Sequence, residues 1–205
     1  MEKIGILLLA HGAPDNVDDI PQYIKNIRGG KEPNPKIVQT ITDHYSQIGG
    51  RSPLEPIARG QAAGLQKLLD KSKNYRFRVY IGMRNWSPYI KEGVAKAYSD
   101  GVDRLIAICL APQYSRFSTE LYLKAFQEAV ENNEGSFKKV DFISTWADNY
   151  YLAEAFAERF EQASKKLINE GKSDFYTVFT VHSIPASSIE YGDPYVEEFN
   201  KTVNG

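Results

Sequence analysis

Lys3-Ile4-Gly5-Ile6-Leu7-Leu8-Leu9-Ala10 runs without a polar residue after its lysine, straight into His11-Gly12-Ala13-Pro14. A run this short falls far below the roughly 20 apolar residues needed to cross a bilayer. It also lacks the apolar–polar alternation of a half-exposed strand, so it reads as a strand covered on both faces, as in a parallel sheet. The pattern returns at 77–83, 104–111, 140–146 and 175–181, all rich in Ile, Val, Leu, Phe and Tyr. Between these runs, apolar residues recur at helical spacing: Leu65, Leu68 and Leu69; then Val94, Ala97 and Tyr98; then Leu152, Phe156, Phe160, Ala163 and Leu167. Strands alternating with helices predict right-handed βαβ units and an open α/β fold. Two further helical patterns, 18–28 and 35–48, precede the second strand and are parted by Arg28-Gly29-Gly30. Ser52-Pro53-Leu54-Glu55 reads as a capping box with proline at the first helical position.

Composition narrows the function classes. A net charge of -1 gives no cationic surplus for nucleic acid or an anionic membrane. The single cysteine, Cys109, excludes an intramolecular disulfide and any Cys-rich zinc or iron–sulfur site. The N-terminal run is short, has one preceding lysine and lacks a small-residue cleavage site, so a cytosolic protein is expected. There is no Walker A loop, no G-x-G-x-x-G and no G-x-S-x-G elbow, which counts against kinases, dinucleotide oxidoreductases and α/β hydrolases.

Open α/β sheets bind ligands beyond the carboxyl ends of their strands. The loops there read His11-Gly12-Ala13-Pro14, Arg84-Asn85-Trp86-Ser87-Pro88, Pro112-Gln113-Tyr114-Ser115-Arg116-Phe117-Ser118 and His182-Ser183-Ile184-Pro185. Two of the three histidines thus follow strands. His182 is a candidate metal ligand or general base, because imidazole titrates near neutrality. His11 is a second candidate, and Gly12 beside it permits a close backbone approach. His44 lies in a helical pattern next to Tyr45. Arg28, Arg51, Arg84 and Arg116 lie in or beside loops, where guanidinium groups pair with carboxylates. Tyr45, Tyr114, Tyr122 and Trp86 offer flat surfaces for a planar ligand.

Together, Leu9-Ala10-His11-Gly12-Ala13-Pro14, Ile48-Gly49-Gly50-Arg51-Ser52-Pro53-Leu54, Leu110-Ala111-Pro112-Gln113-Tyr114-Ser115-Arg116-Phe117-Ser118 and His182-Ser183-Ile184-Pro185 with Tyr191-Gly192-Asp193-Pro194-Tyr195 resemble the ferrochelatase family, most closely the Gram-positive coproporphyrin type. The resemblance runs from about Ile4 to the last residue. It implies a Rossmann-like parallel-sheet domain with helices on both faces over 1–147, and the beginning of a second such domain over 148–205. It implies insertion of ferrous iron into coproporphyrin III or protoporphyrin IX in heme biosynthesis, by a cytoplasmic monomer with no prosthetic group, no nucleic-acid partner and no stable membrane insertion. By position, His182 matches the active-site histidine, an iron ligand or a base for the pyrrole protons. Arg28, Tyr45, Ser52 and Tyr122 match porphyrin contacts, and His44 falls where a basic residue is expected. His11 replaces a tyrosine that approaches the metal in the coproporphyrin type, and could itself ligate iron. The family is longer than this chain and carries a metal-site glutamate in its second domain, so a C-terminally truncated chain is expected. His-Gly after the first strand is also similar to sirohydrochlorin-type cobalt or nickel chelatases. A non-catalytic tetrapyrrole-binding protein is the remaining alternative.

Overall fold

The computed structural model describes residues 1–172 and 174–205. Four strands form one sheet: β1 (Lys3–Ala10), β2 (Arg76–Met83), β3 (Arg104–Cys109) and β4 (Lys139–Ile143). Their order is β2-β1-β3-β4 and every pairing is parallel. β1 is therefore central, in register with β2 from Lys3↔Arg76 to Ala10↔Met83 and with β3 from Ile4↔Arg104 to Leu9↔Cys109.

That position accounts for its unbroken apolar sequence. Side chains alternate across a strand, and β1 feeds two separate cores. Leu7 and Leu9 join Val94, Ala97, Leu105, Ala107 and Phe126 on one face. Ile4, Ile6, Leu8 and Ala10 join Ala58, Ile81 and Met83 on the other. Each fully buried Leu contributes roughly 1.5–3 kcal/mol. The first face is covered by α4 (Ile90–Ser99) and α5 (Thr119–Glu131), the second by α3 (Leu54–Leu69). A third cluster forms where α1 (Ile20–Ile27) meets α2 (Pro35–Gln47): Ile20, Tyr23 and Ile24 are buried against Val38, Ile41, Tyr45 and Trp86.

The chain divides into two compact units, Met1–Leu110 with Tyr122–Ile143, and Ala111–Leu121 with Ser144–Gly205. The loop after β3 groups with the second unit. That unit holds α6 (Tyr150–Asn169), α7 (Ala186–Glu190) and α8 (Tyr195–Asn204), and among its described residues there is no strand.

Two expectations are corrected. Residues 175–181 are not a strand: Tyr176 is 93% exposed and Val178 77%. A strand takes its hydrogen bonds from a neighbour, and the unit has no described strand to pair with it. The capping box at Ser52 does not form either. The Ser52 hydroxyl accepts from Leu54 N at 3.2 Å, Glu55 turns to Arg59, and Pro53 takes the cap position, so α3 starts one residue late.

Candidate active site

The β1–β2 pairing continues past both strands. Arg84 N–H donates to Ala10 O at 2.9 Å and Asn85 N–H to His11 O at 3.0 Å, so the two loops run side by side. Gly12 makes this possible. Its φ is +85°, and a Cβ there would sit 2.8 Å from Trp86 N and 3.1 Å from Met83 Cβ. Only glycine enters such a left-handed turn without cost.

His11 stands at the mouth of this turn, exposed but hydrogen-bonded at both ring nitrogens. Tyr23 Oη lies 3.1 Å from Nδ1, and Asn85 Nδ2 lies 3.1 Å from Nε2. The His11 and Tyr23 rings meet edge to face, 6.1 Å between centroids, and Trp86 meets Tyr23 in the same way at 6.2 Å. The Tyr23 hydroxyl donates to Gly12 O at 3.1 Å and is hydrogen-bonded to the Tyr45 hydroxyl. Burial pushes the Tyr23 phenol well above its ordinary range, with Tyr45 and Tyr122 adding to the shift and Arg84 opposing it. Tyr45 is raised too, chiefly by burial.

Tyr122, on α5, is buried at 8% exposure. Burial pushes its hydroxyl up to about 12 against the pull of Arg84. The Arg84 guanidinium carbon stands 5.7 Å from the centroid of that ring, a cation–π contact. Arg84 Nε is buried with no hydrogen-bond partner among the described residues. A buried donor of this kind leaves an unmet hydrogen-bonding demand, suited to a carboxylate.

The first unit thus gathers His11, Tyr45 and Tyr122 through two intermediaries, Tyr23 and Arg84. The other expected contacts lie at element ends. Arg28 is exposed at the C-terminal cap of α1, His44 is exposed in the last turn of α2, and Ser52 is half-buried before α3.

His182 belongs to the second unit, exposed in the segment before α7. That unit has its own polar framework. Asp193, 4% exposed, accepts from Ser115 Oγ at 2.8 Å and Phe117 N at 3.1 Å through Oδ2, and from Tyr195 N at 3.1 Å through Oδ1. It therefore ties the loop after β3 to the first N–H of α8. Glu198, 5% exposed, accepts from Tyr114 N at 3.3 Å, from Lys201 Nζ at 2.6 Å and from the Thr145 hydroxyl. Burial alone would raise its pKa, but these donors hold it below the usual carboxylate range. Among the described residues, no three His, Cys, Asp or Glu side chains gather into a metal-holding group.

Tyr23 is a site residue that sequence reasoning misses. Its signal is faint: one tyrosine on the apolar face of a short helix, twelve residues after His11. Asn85 stands in the sequence as one member of a loop, since nothing there reveals that its amide turns to a histidine 74 positions earlier.

Residues 3–205 match the family model described as Ferrochelatase. The ferrochelatase of Deinococcus radiodurans is 35% identical over 205 residues, covering 98% of this chain and 63% of that protein. The coproporphyrin III ferrochelatase of Listeria monocytogenes is 32% identical, covering 99% of this chain and 65% of its own length. That of Bacillus subtilis is 30% identical, covering 98% and 64%. The chain therefore spans just under two thirds of these relatives. With the parallel α/β fold and the His-Gly turn in place, the match over 3–205 settles the lineage: the chain belongs to the ferrochelatase family.

Proposed function

We propose that this chain takes part in inserting ferrous iron into a porphyrin, coproporphyrin III or protoporphyrin IX, in heme biosynthesis. The observation that carries the reading is the cluster beyond the carboxyl end of the sheet. Half-buried Tyr45 and Trp86 supply flat aromatic surface over buried Tyr23, and Arg84, beside buried Tyr122, keeps a buried donor with no partner among the described residues. A planar macrocycle with carboxylate arms calls for both.

The reaction exchanges one Fe²⁺ for two pyrrole protons. In this reading His182 binds the metal or takes a proton through its imidazole nitrogen. His11, Arg28, His44, Tyr45, Ser52 and Tyr122 contact the porphyrin and its propionates, and His11 is a second metal ligand. Iron enters as substrate and no prosthetic group takes part. The protein works as a cytoplasmic monomer without nucleic acid. No described helix is long and apolar enough to cross a membrane.

The test is anaerobic mixing with coproporphyrin III and Fe²⁺, followed through the Soret and Q bands. Metalation abolished by His182→Ala supports the reading. Porphyrin binding without metalation favours a tetrapyrrole-binding role. Metalation of sirohydrochlorin by Co²⁺ with porphyrin ignored overturns it.

A further inference from the structure

Asn85 is 3% exposed, and its backbone N–H, its backbone C=O and its side-chain Nδ2 are committed to the loops around it. Its N–H donates to His11 O at 3.0 Å, its C=O accepts from Asn26 Nδ2 at 3.0 Å, and its side-chain Nδ2 donates to His11 O at 3.1 Å. The last bond fixes which way round the amide sits. Turned by half a revolution, its oxygen would face the His11 carbonyl oxygen at the same distance, acceptor against acceptor. Nδ2 therefore keeps its place, and its second hydrogen points to His11 Nε2, 3.1 Å away.

A ring nitrogen that receives a hydrogen bond carries no proton, so the imidazole proton must reside on Nδ1. The surroundings of Nδ1 agree. Gly12 O lies 3.1 Å from it and Tyr23 Oη also 3.1 Å. With the Tyr23 hydroxyl hydrogen directed to Gly12 O and the Tyr45 hydroxyl on one lone pair, the second lone pair of the Tyr23 oxygen remains for Nδ1–H. We infer that Asn85 is a positioning residue that holds His11 in the Nδ1–H tautomer, with the Nε2 lone pair occupied by the amide.

This is the reverse of the tautomer an exposed histidine prefers in water. Its consequence rests on the functional reading above: a metal that would bind His11 must first displace Asn85. His11 is a withheld ligand, and Asn85 sets how readily it is released. The sequence alone makes His11 a candidate ligand by position, and the amide changes what that position offers.

The tautomer is read by long-range ¹H–¹⁵N correlation NMR on the 205-residue chain, whose three histidines are assigned by His44→Gln and His182→Gln. The wild type should show His11 protonated at Nδ1. Asn85→Ala should return it to the Nε2–H form, whereas Tyr23→Phe should not, because Gly12 O still accepts from Nδ1. An Nε2–H signal in the wild type overturns the inference, as does an Nδ1–H signal that survives Asn85→Ala. If Asn85→Ala fails to fold by far-ultraviolet circular dichroism, the wild-type spectrum alone decides. Titration with Co²⁺ alone reads the release. Asn85→Ala should bind about 3–10-fold tighter, the worth of one neutral hydrogen bond, and His11→Ala in that background should cancel the gain. Unchanged Co²⁺ affinity overturns the withheld-ligand role. None of these measurements uses porphyrin. A chain that fails to bind coproporphyrin III defeats the functional reading and leaves the tautomer standing.

Discussion

Gly12→Ala should be the most damaging single-methyl addition in the turn that carries His11, and its cost separates into two parts. The first is conformational: at φ +85° an alanine pays roughly 1–2 kcal/mol that glycine does not. The second is contact. The new methyl would lie 2.8 Å from Trp86 N, which is backbone, and 3.1 Å from both Met83 Cβ and Trp86 Cβ. Crowding against rigid neighbours adds about 1–3 kcal/mol, for about 2–5 kcal/mol in all. Gly49 isolates the first part. It sits at φ +89° with nothing within 4 Å of where an added methyl would lie, so Gly49→Ala should cost only the conformational share. The assay is urea denaturation followed by Trp86 fluorescence in a Trp146→Phe background, since the chain has two tryptophans and Trp86 packs at this site. Because relief of the clash moves Trp86 and with it Asn85, Gly12→Ala should also free the His11 ring from its fixed tautomer. Equal losses for Gly12→Ala and Gly49→Ala would refute the reasoning, for the contact would then carry no energy.

Further outcomes follow from other sites. Asp193→Ala removes the acceptor of three hydrogen bonds, two of them holding the loop after β3, and should cost the second unit about 2–4 kcal/mol in urea, read from Trp146; a loss below about 1 kcal/mol would show that the carboxylate is dispensable. Ser52→Ala should cost α3 about 1 kcal/mol or less, since its hydroxyl accepts a single 3.2 Å bond; a larger fall in coproporphyrin III affinity than in stability assigns Ser52 to the ligand. Cys109, 2% exposed, has its thiol pushed by burial from 9.0 up to about 12. The folded form thus holds the proton more tightly than the unfolded one. Its stabilisation is complete below pH 9 and is lost as pH rises toward about 12, so Cys109→Ala should flatten the alkaline limb of stability against pH. An aromatic disulfide reagent should label the wild type no faster than it unfolds.

The sheet is legible in the sequence because burial on both faces leaves a mark there. β1 matches its apolar run end to end, and β2 to β4 lie within one or a few residues of theirs. The same logic overreaches at 175–181, since an apolar run records what a segment is suited to bury and says nothing of whether a neighbour is at hand. The Ser52 box fails on a finer competition, Glu55 being drawn to Arg59 four residues on in preference to a backbone N–H. Within the site, His11 is proposed from its loop after a strand and by resemblance, Tyr45 and Tyr122 from their flat rings and by resemblance. What joins them is not. Tyr23 and Asn85 act through hydrogen bonds that span 12 and 74 residues, and no local pattern encodes a partner so remote. Arg84 is, in sequence, one loop arginine among four, and its buried, unmet donor emerges only from packing against Tyr122.

The placement of β1 also sets a timetable for synthesis. Of the four described strands it leaves the ribosome first, it lies between two others in the sheet, and its nearest partner begins 73 residues later, at Arg76. At roughly 5–20 residues per second, the most apolar stretch of the first unit waits about 4–15 seconds before any strand is available to cover it. β3 follows at Arg104, and only then are both edges of β1 closed. Nascent chains should therefore be most in need of a holdase between the emergence of β1 and that of β3, while α1 to α3 and then β2 and α4 are the only company β1 has.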